Sequence, residues 1–172
     1  MRNINKRAQS AMEYLMTYGW AILIIAIVLA ALFSLNVFNS ATFLGTECVS
    51  LTGYVCSSPL LHSGTFTASV GQATGTDWTS ANIIFLESGA GTPTASSFAI
   101  AGCVYTPAGG IPSGGTTAFS VANGVTGTSA SSCNAITNTI GGTVTGSIWA
   151  YYNTASSTGL ITELATVSLK GT

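Results

Sequence analysis

The sequence predicts an α+β chain: a long hydrophobic N-terminal α-helix, then an all-β globular domain, sandwich- or barrel-like and of immunoglobulin-like kind. Three observations carry this prediction. No charged side chain occurs from Tyr14 to Thr46, and Gly19–Phe33 is almost wholly apolar. Beyond Ser40 roughly a third of the residues are Ser or Thr, and short β-branched and aromatic runs recur between Gly, Pro and Ser. All four cysteines, Cys48, Cys56, Cys103 and Cys133, fall in this second part.

The helix comes first. Gln9 to Phe38 reads QSAMEYLMTYGWAILIIAIVLAALFSLNVF, with Lys6 and Arg7 just before it and a single carboxylate, Glu13, inside it. The run is long enough to cross a hydrocarbon layer about 30 Å thick. It lacks the polar stripe of a surface helix, so it must be buried all round, in lipid or among other helices. A cleaved secretory signal would set its basic residues directly against a shorter apolar run. Here the polar stretch Gln9–Tyr14 intervenes, and the run is too long. A plain signal anchor tolerates both features but gives no reason for Glu13, whose ionised form is costly inside a membrane.

The stretch KRA-QSAMEYL resembles the class III signal sequence of archaeal type IV pilins: a basic pair, a small residue, then Gln at the new N-terminus and Glu four residues on. The resemblance is specific over Lys6–Leu15 and generic over the apolar run. It implies that prepilin peptidase reads Lys6, Arg7, Ala8 and Gln9 and cuts between Ala8 and Gln9 on the cytoplasmic side. The chain would then divide into a leader, 1–8, a hydrophobic helix, 9–45, and an extracellular β domain, 46–172. The helix would be transmembrane before assembly and the filament core afterwards. The implied function is that of a structural subunit of an adhesive surface filament, a helical homopolymer inserted in the cytoplasmic membrane as its precursor. A pilus assembly ATPase and a membrane platform protein are the further partners so implied. An archaellin-like subunit and a monomeric membrane-anchored cell-envelope or binding protein are the alternatives; archaellins start differently from Gln-Ser-Ala-Met-Glu-Tyr.

Charge agrees with an external, covered domain. Only 5% of the 172 residues are charged, against about 25% in ordinary soluble domains. A dispersed monomer normally needs a charged, mixed surface, so much of this surface is expected to be covered by neighbouring copies or sugars. Arg2, Lys6 and Arg7 lie in the expected leader; its loss leaves Lys170 alone against Glu13, Glu47, Asp77, Glu87 and Glu163. No basic footprint for nucleic acid exists. The basic leader places the N-terminus in the cytoplasm and the remainder outside.

An even cysteine count in an exported chain predicts two disulfides with three possible connectivities. The economical pairing is Cys48–Cys56, around Gly53, with Cys103–Cys133, which closes a loop of about 30 residues. Zinc is the rival, but no C-x-x-C occurs and His62 is isolated, so it reads as a surface or interface side chain.

The best strand runs are Thr65–Val70, Asn82–Glu87, Phe98–Tyr105, Thr117–Ala122, Thr143–Tyr152 and Leu160–Leu169. Alternation puts Thr145, Trp149 and Tyr151 on one face and Val144, Ile148 and Tyr152 on the other. Irregular spacing near Ala165 predicts a bulge. Turns are expected at Ser88–Gly91, Pro107–Gly115 and Gly124–Gly127. About six or seven such strands read as a sandwich or small barrel.

Reactive groups are sparse. The acids show no paired spacing, and one histidine builds no Ser–His–Asp or Cys–His arrangement. Gly109–Gly115 lacks the Lys and helix of a phosphate loop, and Gly71–Gly75 reads as a loop. No catalytic residue, metal site or cofactor is expected, and no enzyme. N-linked sequons are absent, whereas the many hydroxyls leave O-linked sugars open. Glu13 is the assembly candidate: cleavage creates an α-amino group, protonated near neutral pH, about one helical turn away.

Overall fold

A computed structural model describes residues 4–35, 45–136 and 142–172, with backbone alone for 4–11 and 15. The chain divides into two compact units, Met1–Thr42 and Phe43–Thr172.

Among the described residues the first unit contains one helix, α1, Ile4–Ser34. It begins before Gln9, so no break in the backbone sets the expected leader apart from the helix. Its last turn closes with the Leu35 N–H on the Ala31 carbonyl at 3.0 Å, and Ser34 Oγ donates to the same carbonyl at 2.9 Å. A serine that bonds its own backbone competes with the helical ladder. The expected continuation over 36–44 lies outside the described residues, and Gly45 is not helical.

The second unit is β-rich, with one mixed sheet and one antiparallel sheet. Its strands are β1 (Glu47–Ser50), β2 (Tyr54–His62), β3 (Thr65–Gln72), β4 (Trp78–Glu87), β5 (Val104–Tyr105), β6 (Thr116–Val121), β7 (Asn123–Thr126), β8 (Ser132–Ala135), β9 (Thr143–Thr154) and β10 (Leu160–Lys170). The larger sheet runs β1-β10-β9-β4-β7-β8, with β5 also on β4; the smaller runs β2-β3-β6. Every pair is antiparallel except β4 with β7, which meet in parallel at Leu86 and Val125.

Both sheets feed one core. Alternation along β3 buries Phe66, Ala68 and Val70. Phe66 meets Phe85 of β4 at 5.3 Å and Phe119 of β6 at 5.4 Å between ring centroids, both edge-on, a favoured aromatic geometry. Strand β4 lies inside the larger sheet and is apolar on both faces. Ile83 and Phe85 join the main core; Ile84 and Leu86 enter a second cluster with Phe98, Cys103, Val125 and Ala130. The alternation expected along β9 is present: Ile148 and Tyr152 meet the main core, whereas Trp149 and Tyr151 pack on the second cluster. In β10 the register slips between Glu163 and Ala165. One extra residue there turns both Leu164 and Ala165 inward, and this is the expected bulge.

Two expectations are corrected. Phe98–Tyr105 is a strand only at Val104–Tyr105; Ala95–Ala99 is a 3-10 turn, and Cys103 N–H closes back on the Ile100 carbonyl at 3.3 Å. Gly102, at φ +87°, breaks the run, and Phe98 plugs the second cluster instead of lining a sheet. Gly124–Gly127, expected as a turn, falls largely in β7. A Cβ at Gly124 would lie 2.7 Å from Glu87 Oε1, so this glycine leaves room for the Glu87 side chain.

The disulfides join Cys48 to Cys56, stapling β1 to β2, and Cys103 to Cys133, which ties the 100–104 turn to β8. At Ser57–Leu60 edge strand β2 carries a second register shift, containing Ser58 at φ +50° and Pro59. A proline fits there because it has no N–H to give a ladder.

Candidate functional site

The feature of α1 that demands explanation is its surface. Met12–Ser34 is long and apolar enough to cross a membrane. At 1.5 Å per residue its 23 residues measure about 34 Å, against about 30 Å of hydrocarbon. Large apolar side chains are exposed around the whole circumference. Met16 is 79% exposed, Trp20 67% and Phe33 66%, and Ile22, Ile25, Ile27 and Val28 fill the sectors between. No polar stripe interrupts them, as the sequence pattern requires.

Small features texture this surface. Met12, Met16, Gly19, Trp20 and Leu23 line a shallow apolar groove. Nothing lies within 4 Å of the point where a Cβ on Gly19 would sit, so the groove is a notch in the helix. Tyr14 and Tyr18, one turn apart, bring their rings to 4.5 Å. The side chain of Glu13 is exposed beside this face, and its backbone carbonyl accepts from Thr17 Oγ1 at 2.9 Å. Glu13 stands out in the sequence, whereas the notch has Gly19 within an apolar run as its signal there. Lys6, Arg7, Ala8 and Gln9 all fall on the helical backbone of α1; their side chains lie outside the described residues.

In the β unit the four cysteines are consumed as two bridges, which leaves no free thiol. His62 is exposed at the end of β2. Folding does bring together two acids that look scattered in sequence. Glu87 and Glu163 line one open groove with Ser88, Thr145, Ser147 and Thr166. Partial burial pushes the Glu87 carboxyl above the usual carboxylate range. Among the described residues no three His, Cys, Asp or Glu side chains converge as metal ligands do. Gln72, expected in a plain loop, is instead a buried polar hub at the end of β3. The stacked rings of Trp78 and Tyr152, 4.0 Å apart, belong to the core and present no platform to solvent.

Among the described residues, the surface that sets this chain apart from an ordinary β domain is therefore the apolar helix. It can enter lipid, or it can be covered by other helices; it is not built to remain in water. Comparison with protein-family models, with curated proteins and with solved structures gives no match.

Proposed function

We propose that the chain is a structural subunit of a cell-surface filament of the archaeal type IV pilin kind, inserted in the membrane first and polymerised through α1 afterwards. The observation that supports this most is the fully exposed apolar circumference of α1. A membrane anchor needs such a surface once. A subunit extracted from lipid must bury it again, and packing against copies of the same helix does so. Burying one Leu, Ile or Phe side chain fully contributes about 1.5–3 kcal/mol. More than a dozen large apolar side chains on α1 therefore suffice to hold a filament without covalent links.

In this reading prepilin peptidase removes residues 1–8, and an assembly ATPase with its platform protein lifts the mature chain out of the membrane. The β unit acts as an immunoglobulin-like sandwich that coats the filament and makes contact for attachment. Its two disulfides suit an oxidising, external compartment. Its scarcity of charge suits lateral contact between copies, and no catalytic role is assigned to it.

The test is mass spectrometry of filaments sheared from the cell surface. A chain beginning at Gln9 as a major component is the expected result. A chain that keeps Met1–Ala8 and stays in the membrane fraction as a monomer would replace this reading with that of an anchored envelope protein.

A further inference from the structure

We infer that α1 is built to unwind locally at its N-terminal end, and that this opening sets the rate at which the Ala8–Gln9 bond is cut. The inference rests on the processing step proposed above. It starts from the observation that α1 runs unbroken from Ile4 to Ser34, so the bond lies inside the helix and not in an extended leader ahead of it. In an α-helix each carbonyl accepts from the N–H four residues on. The Ala8 carbonyl therefore faces the N–H of Met12, and the Gln9 N–H faces the carbonyl of Asn5. Hydrolysis adds water across this amide: its oxygen goes to the Ala8 carbonyl carbon, the C–N bond breaks, and protons go to the Gln9 nitrogen. A cleft that takes its peptide extended reads it through main-chain bonds. A helical backbone has those groups already engaged.

The sequence weakens this part of α1. The first turn contains no acidic residue, and it holds Lys6 and Arg7. Positive charge at a helix N-terminus opposes the macrodipole. Asn5 and Ser10, both poorer helix formers than Ala, bracket the bond. Beyond it, Gly19 aside, the helix is rich in Ala, Leu and Ile up to Leu32. Opening residues 4–11 leaves Met12–Ser34 intact, still long enough to hold the membrane. The basic pair thus serves twice, as a mark for the peptidase and as a destabiliser of the turn that must open.

The experiment follows cleavage of the full chain by prepilin peptidase in membranes, scored by mass, for Asn5→Ala, Asn5→Gly, Ser10→Ala and Ser10→Gly. Each pair removes the same native side chain and differs in helix propensity, and the two sites lie on opposite sides of the bond. The Gly variant is expected to be cut faster than the Ala variant at both sites, by about fivefold at Ser10 inside the helix and by less at Asn5 in its first turn. Equal rates, or faster cutting of the Ala variants, overturn the inference while leaving cleavage at Gln9 standing. Failure to cut the unaltered chain at Ala8–Gln9 overturns the processing step itself, and this inference with it.

Discussion

Gln72 offers a sharp test of how the β unit is held together. It is 1% exposed, and its amide uses every position it has. Nε2 donates to the carbonyls of Thr76 at 2.9 Å and Ile111 at 3.1 Å. Oε1 accepts from the N–H of Thr74 at 2.9 Å and from Thr74 Oγ1 at 2.7 Å. One side chain thereby pins the loop after β3 to the loop before β6. Gln72→Met keeps the length and removes all four bonds. The Ile111 carbonyl keeps the Trp78 N–H at 3.0 Å, and the exposed Thr74 and Thr76 can turn to water. The net value of about 0.5–1.5 kcal/mol per bond then applies toward its lower end, for a total of about 2–4 kcal/mol. With an unfolding entropy of about 2.1 cal/mol/K per residue over the unit Phe43–Thr172, Tm should fall by about 7–15 °C. Gln72→Glu sets carboxylate oxygens against two carbonyls, so burial without donors raises its pKa in the folded state. A carboxyl whose folded pKa is raised leaves stability intact below its unfolded pKa and costs stability as pH rises toward the folded one. This variant should fall below Gln72→Met at pH 8 and recover at pH 4. Calorimetry and tryptophan fluorescence on the full chain in detergent read both effects. A Gln72→Met chain melting within about 2 °C of the parent, or a Gln72→Glu deficit that ignores pH, would refute the hub.

Three other outcomes are expected. Replacing both Cys103 and Cys133 by Ser should cost more than replacing both Cys48 and Cys56, about 3.6 against about 2.5 kcal/mol in the chain-entropy model, because separations of 30 and 8 residues are released; denaturant midpoints in the reverse order contradict this. Glu87→Gln should raise Tm at pH 8 and leave it unchanged at pH 4, since burial holds this carboxyl above its ordinary range and its ionised form opposes folding; a stabilisation that is the same at both pH values assigns the effect to packing. Glu13→Gln, expressed beside the unaltered chain, should be cut normally and be under-represented in sheared filaments, because it loses the charge that the new α-amino group can meet. Equal shares by mass spectrometry show that the charge is dispensable for assembly.

What the sequence by itself determined is whatever depends on consecutive residues. An apolar run long enough for lipid, a carboxylate at its start and a basic pair ahead of it need no fold to be recognised. Strands with a clear run of their own were legible for the same reason: β3 and β9 alternate, β4 is a continuous apolar run, and the irregular spacing at Glu163–Ala165 exposed the bulge in β10 before any partner strand was known. The tertiary structure decided what depends on a partner. Strands β1, β7 and β8 have four residues each, too few to declare a period, and β2 is interrupted by Ser58 and Pro59. Gly124 reads as a turn until β4 lies beside it, and Phe98 reads as a strand residue until the second cluster needs covering. Only the fold drew Glu87 and Glu163 into one groove, and only the fold buried Gln72. The physical reason is that pairing in a β unit joins residues far apart in sequence, whose side chains carry no local mark of which neighbour they will meet. A helix is written in its own residues, whereas a sheet is completed by residues elsewhere in the chain.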